Sequence, residues 1–522
     1  MKIIGHMVDV FQEKIYSVEI TFDKKIRKIK RIGKAPKRYI LPGLVNAHVH
    51  TESSMLIPSE FARLAIKQGT VAVVADPHEI ANVCGINGIN FMIKNAKKVP
   101  LKFYFGASSC VPATGFETNG AKLGKKEIEK LLKKNEIKFL AEVMNYPGVI
   151  NRDPEIMEKI KIAKKYSKRI DGHAPGLVGT DLDRYISAGI ETDHECYMLN
   201  EAKEKMKKGM KIIVREGSAA KNLDEIYPIL KTGKCMLCTD DSHPDDLFKG
   251  HINKILEKCV KLGIDPITAI KSATKNPVEH YGLDCGLLRE DDNSDFIIVN
   301  NLKNFNVKET WINGKQIYKH GKVKMKRIKE NKINKFSAKK ITINDLKIAK
   351  QLPVIEAIDG SLITNKLRET NRINLKKDIL KIVIINRYKK TKPAIGFVKK
   401  FGMKKGAFGS SVMHDSHNIG IVGTDDESIC KVANEIIMAK GGLVVYDGKQ
   451  KYVLRLPFAG LMTDENGEKV AEKYEKLTKI VKKLGCKMHS PFMTLSFMGL
   501  LVLPHLKISD KGVFDVDKFD FV

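Results

Sequence analysis

The sequence predicts an α/β protein built on a (β/α)8 TIM-like barrel. A small β domain drawn from both flanks of the barrel and a C-terminal mixed α/β domain complete it. Three observations lead there. Between residues 42 and 285, eight short apolar runs alternate with amphipathic stretches, which is the rhythm of βα units around a parallel sheet. Polar residues gather at the C-terminal ends of those runs, the face on which such barrels carry their active sites. The flanks read differently: 1–41 and 286–325 look like short strands with turns, whereas 342–522 mixes strands and helices.

Taken in order, "KIYSVEITFDKKIRKIKRIG" supplies the strands and turns of the N-terminal flank. In "LPGLVNAHVH", Pro42 and Gly43 mark a turn and the run ends on His48 and His50. Alternate residues of a strand share a side, so both imidazoles project together. The second run, "GTVAVVADPHE", ends in Asp76, His78 and Glu79, and "LKFYFGASS" is the third. "KFLAEVMN" carries Glu142, "RIDGHAPG" carries His173, and "IETDHE" carries His194 and Glu195. "KIIVREGS" offers Arg215, Glu216 and Ser218, and "CMLCTDDSH" offers Asp240, Asp241 and Ser242. Helix caps account for Ser, Thr, Asp or Asn at such positions. They do not account for four histidines and a glutamate. Beyond Cys285, "GLLREDDNSDFIIVNNLKNFNVKETWINGKQIYKHGKV" reads as short strands and hairpins able to pair with 1–41. "KMKRIKENKINKFSAKK" is a charged connection, and "DILKIVIINRY" and "GGLVVYDGKQKYVLRLP" are strands of the last domain.

Composition narrows the classes. The chain has 522 residues, 43% of them hydrophobic, and a formal charge of +31 from 92 Lys and Arg against 61 Asp and Glu. Such a charge can bind nucleic acid. Here the lysines are spread along amphipathic stretches such as "KKEIEKLLKKNEIKFL", which favours solvated helices. A hot environment selects the same bias. The nine cysteines show no disulfide framework, so a reduced, cytoplasmic protein is expected. The N-terminus lacks the apolar core of a signal peptide, and no apolar run is long enough to span a membrane.

His48, His50, Glu142, His173, His194 and Asp240 form the candidate metal set. Imidazoles and carboxylates suit Zn²⁺, Mn²⁺ or Fe²⁺. Six ligands exceed the needs of one open catalytic ion, so two metals sharing a carboxylate are the economical reading. Asp76, His78 and Glu79 are additional: they bind substrate, orient ligands or hold a further metal. The CxxC pair, Cys235 and Cys238, lies in an apolar strand and reads as core. In "MHDSHN", His414, Asp415 and His417 look locally like a metal cluster, but no further ligand group stands nearby in sequence, so a polar loop is expected. The glycines of "FGMKKGAFGSS" suggest a close-approaching loop over the barrel mouth.

"PGLVNAHVH" and "CTDDSH" resemble the first- and last-strand signatures of the amidohydrolase superfamily. "NAHVHTESSM", "ADPHEIANVCG", "DGHAPG", "TDHE" and "TDDSHPDDL" together closely resemble the adenine deaminase family. "GAFGSSVMHDSHN" and "PFMTLSFMGLLVLPHLKISDKGVFDV" resemble its C-terminal domain. The resemblance implies hydrolytic deamination of adenine to hypoxanthine and ammonia in purine salvage. It implies a binuclear centre active with iron(II) or manganese(II). Several amide-cleaving relatives place a carboxylated lysine between their metals. Glu142 stands at that position here and is the expected bridge, which disfavours ring-opening hydrolysis.

The expected chemistry uses a metal-activated hydroxide. Asp240 is its general base and later acid. Glu195 protonates the purine ring, unless it serves only as a helix-start carboxylate. Asp241 and Ser242 hydrogen-bond the purine edge, and Arg215 pairs with a carboxylate. Adenine is the expected small-molecule partner, with no nucleic acid, no membrane and assembly into a homo-oligomer. Two alternatives stay open: an amidohydrolase acting on a cyclic amide or acylated amine, and a basic nucleic-acid binding protein.

Overall fold

The computed structural model describes residues 1–218 and 220–522. Eight strands surround the barrel axis: β1 (Leu44–His50), β2 (Thr70–Ala75), β3 (Lys102–Ala107), β4 (Ile137–Val143), β5 (Arg169–Gly172), β6 (Thr192–Asp193), β7 (Lys211–Arg215) and β8 (Met236–Cys238, resuming at Asp240–Asp241). Strands β1 to β5 pair in parallel in sequence order, as do β6 to β8. The ring closes on one side where Asp240 and Asp241 pair with Val49 and His50. On the other, the Glu191 amide donates to the Ile170 carbonyl at 2.9 Å. Every residue of β1 and β2 is buried, because parallel strands are covered on both faces. That burial explains why these strands read as mostly apolar runs; Asn46, inside β1, is hydrogen-bonded to Thr239.

An eight-stranded sheet joins the two flanks of the barrel. Lys2–Asp9, Lys14–Phe22, Ile26–Arg31 and Tyr39–Pro42 share it with Phe296–Val299, Val307–Ile312, Lys315–Lys319 and Lys322–Val323. The flanks meet where Tyr39–Pro42 runs antiparallel to Phe296–Val299, with Ile40 opposite Ile298. The single tryptophan, Trp311, stacks on Phe296 and meets Phe22 edge-on, with centroids 5.5 and 5.2 Å away. This pins the late strands to the early ones.

The C-terminal region is a second eight-stranded sheet, from Leu352–Ala357 to Lys451–Arg455, flanked by Asp426–Ala439 and Gly467–Lys483. Asp425 caps the first of these helices by accepting from the Ser428 amide at 2.7 Å, satisfying a free helix-start N–H. A three-stranded unit begins at Leu506–Ser509. One hydrophobic core runs from the barrel into this region. At the junction the Thr463 amide donates to the Met55 carbonyl at 2.9 Å and the Ile57 amide donates to the Thr463 carbonyl at 3.2 Å.

The charge is dispersed. Lys133–Glu129, Lys261–Glu257, Lys431–Glu427 and Lys479–Glu475 are one helical turn apart on exposed faces. Cys235 and Cys238 are both fully buried and enter different core clusters, so they form no chelating pair. Among the described residues no helix is long and apolar enough to cross a membrane.

Candidate active site

At the C-terminal mouth of the barrel the strand-end side chains converge on Glu142. Alternation along β1 sends His48 and His50 inward together, and both are buried. His50 Nδ1 lies 3.0 Å from the Asp76 carbonyl oxygen. That oxygen only accepts, so Nδ1 carries a proton and holds the ring with Nε2 turned to the centre. There it lies 3.2 Å from Glu142 Oε1 and 3.0 Å from Asp240 Oδ1. His48 Nε2 is 3.8 Å from Glu142 Oε1 and 3.6 Å from Asp240 Oδ1. His173 Nδ1 and His194 Nε2 face the other oxygen, Glu142 Oε2, at 2.8 and 3.3 Å. The two oxygens of Glu142 thus look toward different groups of imidazoles.

The electrostatics follow from burial and pairing. Burial opposes charge on His48 and, with the His194 ring stacked 4.1 Å away, holds its pKa down at about 4. Burial also opposes charge on His194, but Glu142 overrides it and raises the value to about 9. Glu142 is itself held well below the usual carboxylate range, because hydrogen bonds from His173, His194, His50 and His78 outweigh burial. Asp240 is depressed in the same way, chiefly by Arg215.

Arg215, at the end of β7, is almost fully buried. Its Nη2 donates to Glu195 Oε2 at 2.8 Å, and its Nη1 contacts Glu195 Oε1 and Asp240 Oδ2. The arginine therefore pairs with carboxylates, as its position in sequence suggested. Both oxygens of Glu195 are engaged by the Arg215 guanidinium, a charge-assisted pairing that fixes the carboxyl group beside the centre.

A buried ion cluster holds the strand ends in register. Lys205 Nζ donates to Asp193 Oδ2 and Glu201 Oε1, each at 2.5 Å, and to the Ala174 carbonyl at 2.6 Å. Asp193 Oδ1 in turn accepts from the amides of Ala174 and Glu195, at 3.2 and 3.0 Å. His173 and His194 are thereby fixed through their neighbours.

The second strand end reaches across to the C-terminal region. His78 Nδ1 lies 3.1 Å from Asp76 Oδ2 and 3.3 Å from Glu142 Oε1, as near the centre as His194. Its Nε2 is 3.4 Å from Glu79 Oε1. Glu79 Oε2 pairs with His417 Nε2, and Glu79 Oε1 lies 2.7 Å from His414 Nδ1, an ion-pair contact without hydrogen-bond alignment. The polar-loop reading of His414, Asp415 and His417 is thus corrected. The missing partner is Glu79, contributed by the barrel more than 300 residues earlier. Leu362, His414, Asp415, Phe497, Leu500 and Leu503 roof the cleft. The glycine-rich segment "FGMKKGAFGSS", expected to cover the mouth, does not line the cleft: its Ala407–Ser410 is a strand inside the C-terminal sheet.

One further expectation fails. Asp241 lines the cleft and accepts from Ser53 Oγ at 2.5 Å. Ser242 instead lines a separate groove with Glu216, Gly217 and Lys258 and does not line the cleft. Asp240 has a left-handed φ of 51°, which breaks strand alternation. Asp240 and Asp241 both face the mouth, and the next residue turns outward.

The donors fit a divalent cation. His50, Asp76, His78 and Glu142 present ligand atoms within 4.8 Å of one another, as do His48, His194 and Asp240, and Glu142, His173 and His194. Nitrogen and carboxylate oxygen donors of this kind suit borderline-to-hard ions. His48 Nδ1 has no hydrogen-bond partner among the described residues.

Residues 39–317 match the amidohydrolase family, and residues 361–520 match the adenine deaminase C-terminal domain. The chain is 48% identical to a protein named adenine deaminase from Methanosarcina mazei, over 100% of this chain and 99% of that one. It is 49% identical to one from a Sulfurovum species and 47% identical to one from Borreliella burgdorferi, each over 100% of this chain and 99% of the relative.

Proposed function

The chain belongs to the adenine deaminase family of the amidohydrolases, and from that premise we propose that it hydrolyses adenine to hypoxanthine and ammonia in the cleft beneath the roof. The hydrolysis depends on a divalent metal. The observation that carries the reading within the site is the placement of Glu142. One oxygen faces His50, His48 and His78, and the other faces His173 and His194. That division suits a carboxylate bridging two ions. We assign His48, His50, Glu142, His173, His194 and Asp240 as their ligands, with manganese(II) or iron(II) as the ions. A divalent ion held there acts as a Lewis acid and makes water acidic enough to attack near neutral pH.

The side chains then move two protons. Water adds to the carbon that bears the amine. Glu195, held beside the centre by Arg215, takes the first proton and relays it to the adjacent ring nitrogen. The added hydroxyl becomes the carbonyl, and its proton passes through Asp240 to the departing amine, which leaves as ammonia. Both carboxylates act as base before acid, consistent with their pairing to Arg215 at rest. Arg215 keeps the two close and limits their drift. The roof excludes water and strengthens the polar contacts that orient the base.

The test is to strip the protein of metal and reload it with Mn²⁺, Fe²⁺ or Zn²⁺ separately, without oxygen, measuring adenine loss and ammonia release. Turnover should vanish on stripping and return as loading approaches two ions per chain. Fully loaded protein that releases no ammonia from adenine with any of the three ions would overturn the reading.

A further inference from the structure

We propose that Asp415, on the roof, reads the imidazole edge of the purine and selects the free base over bases substituted at ring nitrogen. This rests on the proposed deamination of adenine. The floor of the cleft is polar and engaged: its carboxylates are paired with imidazoles or with Arg215. The roof is mostly apolar; of its two polar residues, His414 is occupied with Glu79 and Asp415 is not. Asp415 is 2% exposed, lines the cleft, and its Oδ2 has no hydrogen-bond partner among the described residues. Its Oδ1 lies 3.7 Å from His414 Nδ1. An unmatched buried carboxylate oxygen is costly, and a ligand N–H that meets it recovers that cost.

Adenine has one N–H besides its amine, on the five-membered ring. When the amine-bearing carbon faces the metal ligands, that ring is the part turned away from them, toward the roof. His414 and Phe497 stack there with ring centroids 4.5 Å apart and planes within 11°, giving a flat wall suited to a planar base. A nucleoside carries a sugar in place of that N–H. It would leave Oδ2 unmatched and press a bulky group on Leu500 and Leu503.

The experiment compares kcat/KM for adenine and 9-methyladenine in the metal-loaded wild type and in Asp415→Ala, with metal content measured on the same samples. A hydrogen bond to a charged group is worth roughly 10- to 100-fold. Asp415→Ala should lose about that factor on adenine, mostly in KM. It should lose nothing, or gain, on 9-methyladenine, so the preference between the two collapses. An equal loss on both substrates, or loss of metal matching the loss of activity, would overturn the proposal. Asp415→Asn keeps the side-chain volume and guards against misfolding; it should also narrow the preference, and an unchanged preference in a folded, loaded protein would count against the assignment. Wild type that fails on adenine itself would instead refute the proposed deamination.

Discussion

Lys205→Met removes the ammonium that Asp193 and Glu201 share in a buried cluster. Lys205 and Asp193 are 0% exposed and Glu201 is 6% exposed. In the intact protein burial works against the charged form of Asp193, yet Lys205 holds its carboxyl below the usual range. Without the ammonium, two carboxylates face each other in the core. Breaking a buried pair from one side costs about 3–5 kcal/mol, and here three contacts of 2.5–2.6 Å are lost together. The damage is local as well as global. Asp193 anchors the amides of Ala174 and Glu195, so its displacement shifts His173 and His194. The variant should melt several degrees lower and retain less metal than wild type after the same dialysis. Thermal melting and metal analysis on one preparation check both effects. Adding Asp193→Asn removes one of the stranded charges, so the double variant should melt above the sum of the two single losses. Wild-type melting with full metal in Lys205→Met would refute the argument.

Three other outcomes are expected. Glu142→Gln should lower metal affinity together with rate, because a neutral amide cannot serve both groups of imidazoles; normal loading and turnover would show that Glu142 is not the bridge. Glu195→Gln keeps a hydrogen bond to Arg215 but cannot relay a proton, so metal content should stay near normal while kcat falls about 10²–10⁴-fold, and unchanged kcat would return Glu195 to a scaffolding role. Lys507 is buried behind the roof, donating to the carbonyls of Leu362 and Phe497 at 2.7 and 3.1 Å, and burial lowers its pKa from 10.5 to about 7. Between those values the unfolded chain holds the proton and the folded protein does not, so its contribution to stability rises with pH by about 1.4 kcal/mol per unit. The melting difference between wild type and Lys507→Met should move in favour of wild type from pH 7 to 10, and a flat difference would mean that the amine stays charged in the fold.

The barrel and the residues on its active face are legible in the order of the amino acids alone. Strand alternation makes His48 and His50 neighbours in space as well as in the chain. Parallel βα units bring every strand end to one mouth, so Glu142, His173, His194 and Asp240 stand out once the eight runs are counted. The motif set likewise points to the adenine deaminase family without coordinates. Other contacts needed the folded chain. That Glu79 meets His414 and His417, that Arg215 ties Glu195 to Asp240, and that Leu362 and Phe497 close the cleft are pairings between segments remote in sequence. Local periodicity carries no information on which remote segments dock. Likewise the outward turn of Ser242 follows from the left-handed backbone of Asp240, which a strand pattern extended by rote misses. Periodicity reports which face of an element is covered; the packing of the core settles what covers it.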